Sequence, residues 1–389
     1  MRMFSRSKTR VLELSLLFAL IAASSAVAQE KPVSPESVGS PGPIPLLEED
    51  ASRRLSITGF GVGSFRYEFA TDRSSFGDSA LAVAFSKVVS DRLSVFAQLT
   101  ASREAESPFL GGESSGKIET DIDNLQVTWV PSAKSGLAIS FGKFDSPLAI
   151  ERDDAPLNFQ ATPSFTFQFA RPVKFTGISV HESISEHFEL WAILANGWDV
   201  DRDNNRGKTG AVYALWNPSL SSHVGLGVIH GAEKDDRTGD ARTTAVATLL
   251  FQPASNWVFG EELVAGREPH SAAKGGTAQW YSDMFFTHHR FGRHWAVSLR
   301  TDYLDDRDGL RTGLCQILRS VTVSPQYLVG GGFFGIFRYL DRTSLRLPEV
   351  AVRLDLRYDR SSEPVFRSRT ADEGRRDSFS TTLQTVFLF

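Results

Sequence analysis

From Leu55 onward, apolar and polar residues alternate in stretches of about ten, and each stretch ends at a break. RLSVFAQLTA sets Leu93, Val95, Ala97 and Leu99 against Ser94, Phe96, Gln98 and Thr100, and HWAVSLRTDY sets Trp295, Val297, Leu299 and Thr301 against Ala296, Ser298, Arg300 and Asp302. EVAVRLDLRYDR (349–360) is the cleanest case, with Val350, Val352, Leu354, Leu356 and Tyr358 on one parity and Ala351, Arg353, Asp355, Arg357 and Asp359 on the other. A period of two predicts β-strands, because successive side chains leave a strand on opposite faces. About ten residues is also the length of a strand that crosses a bilayer.

The breaks alternate in character. Ser90-Asp91, PSAKSG (131–136), NPSLSS (217–222), QPASN (252–256) and RFGR (290–293) are short and read as tight turns. REAESPFLGGESSGK (103–117), NGWDVDRDNNRGK (196–208), HGAEKDDRTGD (230–240) and GREPHSAAKGG (266–276) are long, polar and charged. Short turns at one end and long loops at the other predict an all-β, antiparallel transmembrane β-barrel with periplasmic turns and extracellular loops. A soluble β-sandwich also alternates. The barrel is favoured because the pattern fills nearly the whole chain and because Trp129, Trp198, Trp216, Trp280 and Trp295 sit near strand ends, as aromatic girdles require. Two uncharged stretches, Thr243 to Gly260 and Val321 to Phe337, contain Pro253, Pro325 and a glycine triplet, so they read as strands and turns rather than spanning helices.

Strands are expected near 55–69, 77–90, 91–102, 119–130, 137–145, 174–183, 186–195, 209–217, 222–230, 241–252, 256–266, 277–289, 293–303, 314–328, 348–359 and 377–389, which makes sixteen. Residues 329–347 leave an alternative of eighteen. Either count encloses a water-filled lumen. The charged parity of the strands then faces that lumen, which makes Arg300, Asp302, Arg353, Asp355 and Arg357 candidates for lining it.

Export fits this picture. Arg2, Arg6, Lys8 and Arg10 precede an apolar run from Leu14 to Ala23 and an Ala26-Val27-Ala28 cleavage signature, so residues 1–28 read as a signal peptide. Residues 29–54 follow as a Pro-rich periplasmic lead without expected structure, and 55–389 as the barrel. Cleavage takes away four of 42 basic and one of 46 acidic residues, leaving a net charge of about −7 and arguing against a nucleic-acid partner. A single cysteine, Cys315, excludes an intramolecular disulfide.

Sites for chemistry are sparse. GESSG (112–116) satisfies G-x-S-x-G, but it lies in a loop with no helix after it, where a nucleophile elbow cannot form. His288, His289 and His294 gather about one turn without a carboxylate or thiolate at metal-binding spacing, and read as interfacial polar residues. GFGVG (59–63) falls within a strand, which rules out a dinucleotide fingerprint. No catalytic residue, cofactor or metal is expected.

Two segments carry a family resemblance. SFSTTLQTVFLF ends on Phe389 with Phe379, Leu383 and Phe387 on the same face, and resembles the signature by which bacterial outer-membrane proteins are read by their barrel-assembly machinery. Residues 142–180 begin with a Gly-Lys-Phe strand (Gly142, Lys143, Phe144), followed by Ser146-Pro147-Leu148, Glu151, Pro156-Leu157-Asn158, Ser164-Phe165 and a Phe175-Thr176-Gly177 return strand. This block resembles the OmpL-like porin-2 group of Gram-negative β-barrel porins and, more distantly, the phosphate-selective porins. The resemblance implies an outer-membrane porin that passes ions and small hydrophilic solutes, with homotrimers common in such families. It implies that a loop at about 146–173 constricts the pore, with Glu151, Arg152, Asp153, Asp154, Arg171 and Lys174 as candidate lining. An outer-membrane hydrolase, or an adhesin or receptor acting through its loops, is the alternative.

Overall fold

The computed structural model describes residues 55–77, 79–103, 109, 117–132, 135–219, 221–329, 349–369 and 374–389. The expected signal peptide, the Pro-rich lead, GESSG and all but the first residue of the ambiguous 329–347 therefore lie outside the described residues. Seventeen strands form one sheet: β1 (Ser56–Glu68), β2 (Arg73–Phe76), β3 (Ser79–Ser90), β4 (Leu93–Arg103), β5 (Glu119–Trp129), β6 (Leu137–Asp145), β7 (Lys174–Ser185), β8 (Phe188–Ala195), β9 (Thr209–Ser219), β10 (Ser222–Gly231), β11 (Arg242–Ala254), β12 (Trp257–Glu268), β13 (Ala278–Phe291), β14 (Trp295–Asp306), β15 (Gln316–Val329), β16 (Val350–Ser361) and β17 (Asp377–Leu388). β2 and β3 both lie along β1, at Phe65–Glu68 and Ser56–Val62 respectively, so they are the two halves of one interrupted wall strand. The wall therefore has sixteen strands, each within three residues of its expected bounds except the interrupted one, which begins at Arg73, four residues ahead of the expected 77.

Every neighbour is antiparallel, and the ring closes where β1 pairs with β17 from Phe60↔Leu388 to Glu68↔Ser380. Closure removes both sheet edges, which a bilayer would otherwise leave without hydrogen-bond partners. β15 pairs directly with β16, so among the described residues the closed wall counts sixteen strands rather than eighteen. At the seam, a Cβ on Gly59 or Gly61 would fall within 3 Å of the rings of Phe389 and Phe387. That contact explains the first two glycines of GFGVG: they let two aromatic rings lie against the outer face of β1.

The two parities separate as the sequence implies. Phe141, Leu194, Val212, Leu226, Leu354, Leu356 and Leu383 project outward and stay exposed, whereas Arg353, Asp355, Arg357 and Asp359 project inward and are buried. Trp129, Trp216, Trp257 and Trp295 stand outward at the turn end as half of a girdle. Trp198 and Trp280 correct the sequence reading. They are 7% and 3% exposed and belong to the interior, where Arg311 lies 4.3 Å from the centre of a Trp198 ring and 5.5 Å from that of Trp280. His288 is corrected as well: it is buried inside, its ring stacked on Phe159 at 4.3 Å, while His289 points outward onto Trp257.

Candidate functional site: the interior segment and its passage

Between β6 and β7, residues 146–173 leave the wall and fold inside the ring. Pro147, Pro156, Pro163 and Pro172 interrupt the segment, and each removes a donor that a continuing strand would need. What remains is an irregular chain with one 3-10 turn (Ala155–Leu157) and one π-helical turn (Thr166–Ala170). Its contacts reach Gln98 on β4, Tyr213 on β9 and every strand from β12 to β17. One segment touches walls so far apart around a ring only from within.

A buried irregular backbone must still satisfy its N–H and C=O groups, and the inward charges of the wall do this. Carboxylates take the amides: Asp355 accepts from Thr162 N at 2.9 Å and from its hydroxyl at 2.7 Å, Asp302 accepts from Phe165 N, and Glu262 from Ile150 N at 2.9 Å. Arginines serve the carbonyls: Arg300 donates to Thr162 O at 2.7 Å, Arg353 to Gln160 O at 3.0 Å and Ala155 O at 2.8 Å, and Arg357 to Pro163 O. The plus-minus-plus series on β16 thus alternates because a main chain alternates acceptors and donors. Within the segment, Glu151 pairs with Arg300 and accepts from Ser164 N, and Arg171 pairs with Glu262 while donating to Glu151 O at 2.9 Å. Phe159 packs with Ile150, Met284 and Phe286, and Phe165 joins Trp280, Leu304, Leu318 and Phe366 in a larger cluster.

The eleven residues singled out from the sequence therefore divide. Glu151, Arg171, Arg300, Asp302, Arg353, Asp355 and Arg357 all point inward, yet each is at least nine-tenths buried and fastens the segment. Arg152, Asp153, Asp154 and Lys174 gather on the opposite flank. There the Lys174 ammonium lies 2.7 Å from Asp153, 2.8 Å from Asp145 and 3.1 Å from Asp123, and Gln98 Nε2 bridges Asp154 (2.7 Å) and Asp123 (2.9 Å). Carboxylate oxygens of Asp123, Asp153 and Asp154 approach within 4.8 Å of one another, but the Lys174 ammonium already serves two of these three carboxylates. Burial, reinforced by Asp153 and Asp145, pushes Asp154 up to about 8, against the opposing hydrogen bond from Gln98.

Asp123 escapes a parity reading for a physical reason. A bulge between Gln98/Leu99 and Asn124/Ile122 makes Asp123 the extra residue of β5, so Asp123 and Asn124 both serve the interior. Glu262 carries a visible signal, a charge at the middle of a strand.

The other side of the interior is less tightly covered. Several inward side chains of β1 and β3–β5, such as Ser64, Ala84, Ser86, Phe96 and Gln126, are only half-buried, although Ala82, Gln98, Asn124 and Thr128 on the same strands are buried, whereas those of β12–β17 lie beneath the segment. This less covered side lies between the β1–β5 wall and the Arg152–Asp154 flank with Lys174.

Similar architecture occurs in solved structures. The anion-selective porin from Comamonas acidovorans matches at 12% identity with a TM-score of 0.57, over 86% of this chain and 99% of that one. OmpF of Salmonella typhi, in complex with daunomycin, matches at 9% with a TM-score of 0.59 over 88% and 99%. Outer-membrane expressed OmpT of Vibrio cholerae matches at 11% with a TM-score of 0.55 over 88% and 99%. At these identities the likeness is one of fold. No curated protein matches the chain in sequence. Residues 76–389 match the family described as "Putative beta-barrel porin-2, OmpL-like", and with the closed sixteen-stranded wall and its interior segment, this chain belongs to that porin family.

Proposed function

We propose that the protein is an outer-membrane porin through which ions and small hydrophilic solutes diffuse down their gradients, and that residues 146–173 form its constriction. The observation that carries this reading is the one-sided seating of the segment. The segment is bonded to the wall from β12 to β17, which leaves a polar channel on the other side bordered by Lys174, Asp123, Asp145 and Asp153. Opposed charges across a narrow passage act on permeating ions through a transverse field and a size limit.

Around this passage Asp121, Asp123, Asp145 and Asp153 outnumber Lys143, Lys174 and Arg152, with Asp154 largely neutral near pH 7. A weak cation preference follows. The test is the reversal potential of purified protein in planar bilayers under a KCl gradient. Cation preference is expected, and Lys174→Ala increases it. Anion preference, or no unitary conductance at all, refutes the reading. In this proposal residues 1–28 direct export, and β17 with the adjoining Phe389 presents the chain for assembly into the outer membrane.

A further inference from the structure

Near the long-loop end of the outer wall, β15 and β16 place two arginines side by side. In β15, Leu318 and Ser320 are buried inward, which turns Arg319 outward; in β16, Asp359 and Ser361 are buried inward, which turns Arg360 outward. The two are register partners, and both are exposed. Like charges placed directly opposite repel, so a pair with nothing between it works against the sheet. Nearby carboxylates do not relieve it. Asp377, on the other side of Arg360, pairs with Arg375 at 3.3 Å, and Asp305, on the same face of β14 as Tyr303, pairs with Arg307 at 2.6 Å. Asp283 stands beyond Tyr303 on the next strand. Among the described residues, neither guanidinium of the pair has a carboxylate partner.

The height of the pair follows from the girdle. Arg319 lies eight residues along β15 from Tyr327, whose ring meets Trp295 of the turn-end girdle at 4.9 Å. At about 3.3 Å per residue on strands tilted by about 40°, the pair stands roughly 20 Å above that girdle, close to the far edge of an apolar band about 25 Å tall. Aromatic rings mark this edge. Tyr303 stands opposite Arg319 with Tyr281 at 6.2 Å, and Tyr358 faces Phe379 one outward position below Arg360. Such rings gather where hydrocarbon gives way to headgroups. Arg319 lies over the Tyr303 ring at 5.7 Å, a contact that steadies its guanidinium at this level. Directly below the arginines, Val321, Val323, Leu356 and Tyr358 continue the outer faces of both strands as an exposed apolar strip.

Resting on the outer-membrane barrel reading, we infer that Arg319 and Arg360 form a binding site for the phosphate group of an outer-leaflet lipid, whose acyl chains run down the apolar strip of β15 and β16. A phosphate accepts from the forked donors of both guanidiniums at once, and so joins two like charges that otherwise repel. The position selects a lipid over an ion from water: a free anion makes no use of the aromatic edge and the strip beneath it, whereas a phosphorylated lipid fills both. Arg267 supplies the comparison. It points outward near the same end of β12, but it faces Thr243 and Gln279 rather than a second arginine. A lone arginine there attracts anionic headgroups in general without fixing one in place.

The test uses full-length protein purified from outer membranes and placed in phosphatidylcholine nanodiscs that contain either diphosphorylated lipid A or the same lipid with its phosphates removed. Native mass spectrometry after release from the discs counts the lipid A held by each barrel. The native chain should hold the phosphorylated form roughly thirtyfold more tightly, the combined effect of two arginines near a lipid surface. Arg319→Gln with Arg360→Gln should remove most of this preference, and Arg267→Gln should leave it unchanged. The native comparison needs no variant, so it stays decisive if a substitution impairs assembly. Equal retention of the two lipids by the native chain overturns the inference. So does a preference that survives the double exchange, or one that falls as far with Arg267→Gln. Inorganic phosphate that abolishes the preference by competition assigns the pair to a free anion and also overturns it. A chain that stays dispersed without detergent overturns the barrel reading itself, a distinguishable failure.

Discussion

Glu262 holds both stems of the interior segment. One of its oxygens accepts the Ile150 amide near the start, and the other pairs with Arg171 near the end, with both charged side chains 2% exposed or less. Glu262→Gln preserves shape but removes the charge, and so strands the Arg171 guanidinium in a dry interior. Breaking a buried pair from one side costs about 3–5 kcal/mol, because the remaining charge keeps its desolvation penalty. The wall does not share this loss, since its strands are held by backbone ladders that Glu262 does not complete. The cost falls on docking of the segment, and 3 kcal/mol is a factor of roughly 150 in the docked-to-undocked ratio. Single-channel recording should therefore show a noisier open level with excursions to higher conductance, while heat-modifiable migration remains native. Removing both charges, as Glu262→Leu with Arg171→Met, leaves no orphan and should recover much of the quiet native level. Unchanged conductance and noise in a folded Glu262→Gln barrel would refute the claim that this pair holds the segment in place.

Leu354→Arg puts a charge on the lipid face at a cost of about 2–4 kcal/mol near the midplane, and should lower the heat-modifiable fraction in outer membranes. Asp154 responds to pH through docking of the segment against β4. Its carboxyl is held protonated up to about 8, so the docked state has its full stability below the ordinary aspartate range and loses it progressively as pH rises to about 8. Open-level noise should climb over that window and level off above it, and Asp154→Asn, neutral throughout, should flatten the profile; an unchanged slope in that variant contradicts the assignment. Gly61→Leu would drive a side chain into the Phe387 ring at the seam, and should reduce assembled barrel more than the same exchange at Gly63, where a Cβ meets open space.

Much of this was legible because a strand's period of two is a property of covalent geometry. The outward Leu354 and Leu356 and the inward Arg353, Asp355 and Arg357 follow from parity alone. What covers those charges does not follow. A chain of alternating Arg and Asp on a lumenal wall reads equally as a water-lining ladder or as a docking strip, and only the path of residues 146–173, set by tertiary contacts, decides between them. Trp198 and Trp280 show a similar limit. Nearness to a strand end is shared by girdle and interior residues, and Trp280 belongs to the parity of Ser282 and Met284. Asp123 was hidden because a bulge resets parity where it occurs.

The wall grips the interior segment largely by its main chain: Arg300, Arg353 and Arg357 reach carbonyls, and Asp302, Asp355 and Glu262 reach amides. Peptide groups are the same whatever side chain they carry. Side chains of the segment that make none of its bonds to the wall can therefore be exchanged by mutation without renegotiating how the segment is seated. The arrangement separates the part that must stay constant from the part that meets the solute, so that permeation can drift or be redesigned one residue at a time on a fixed scaffold.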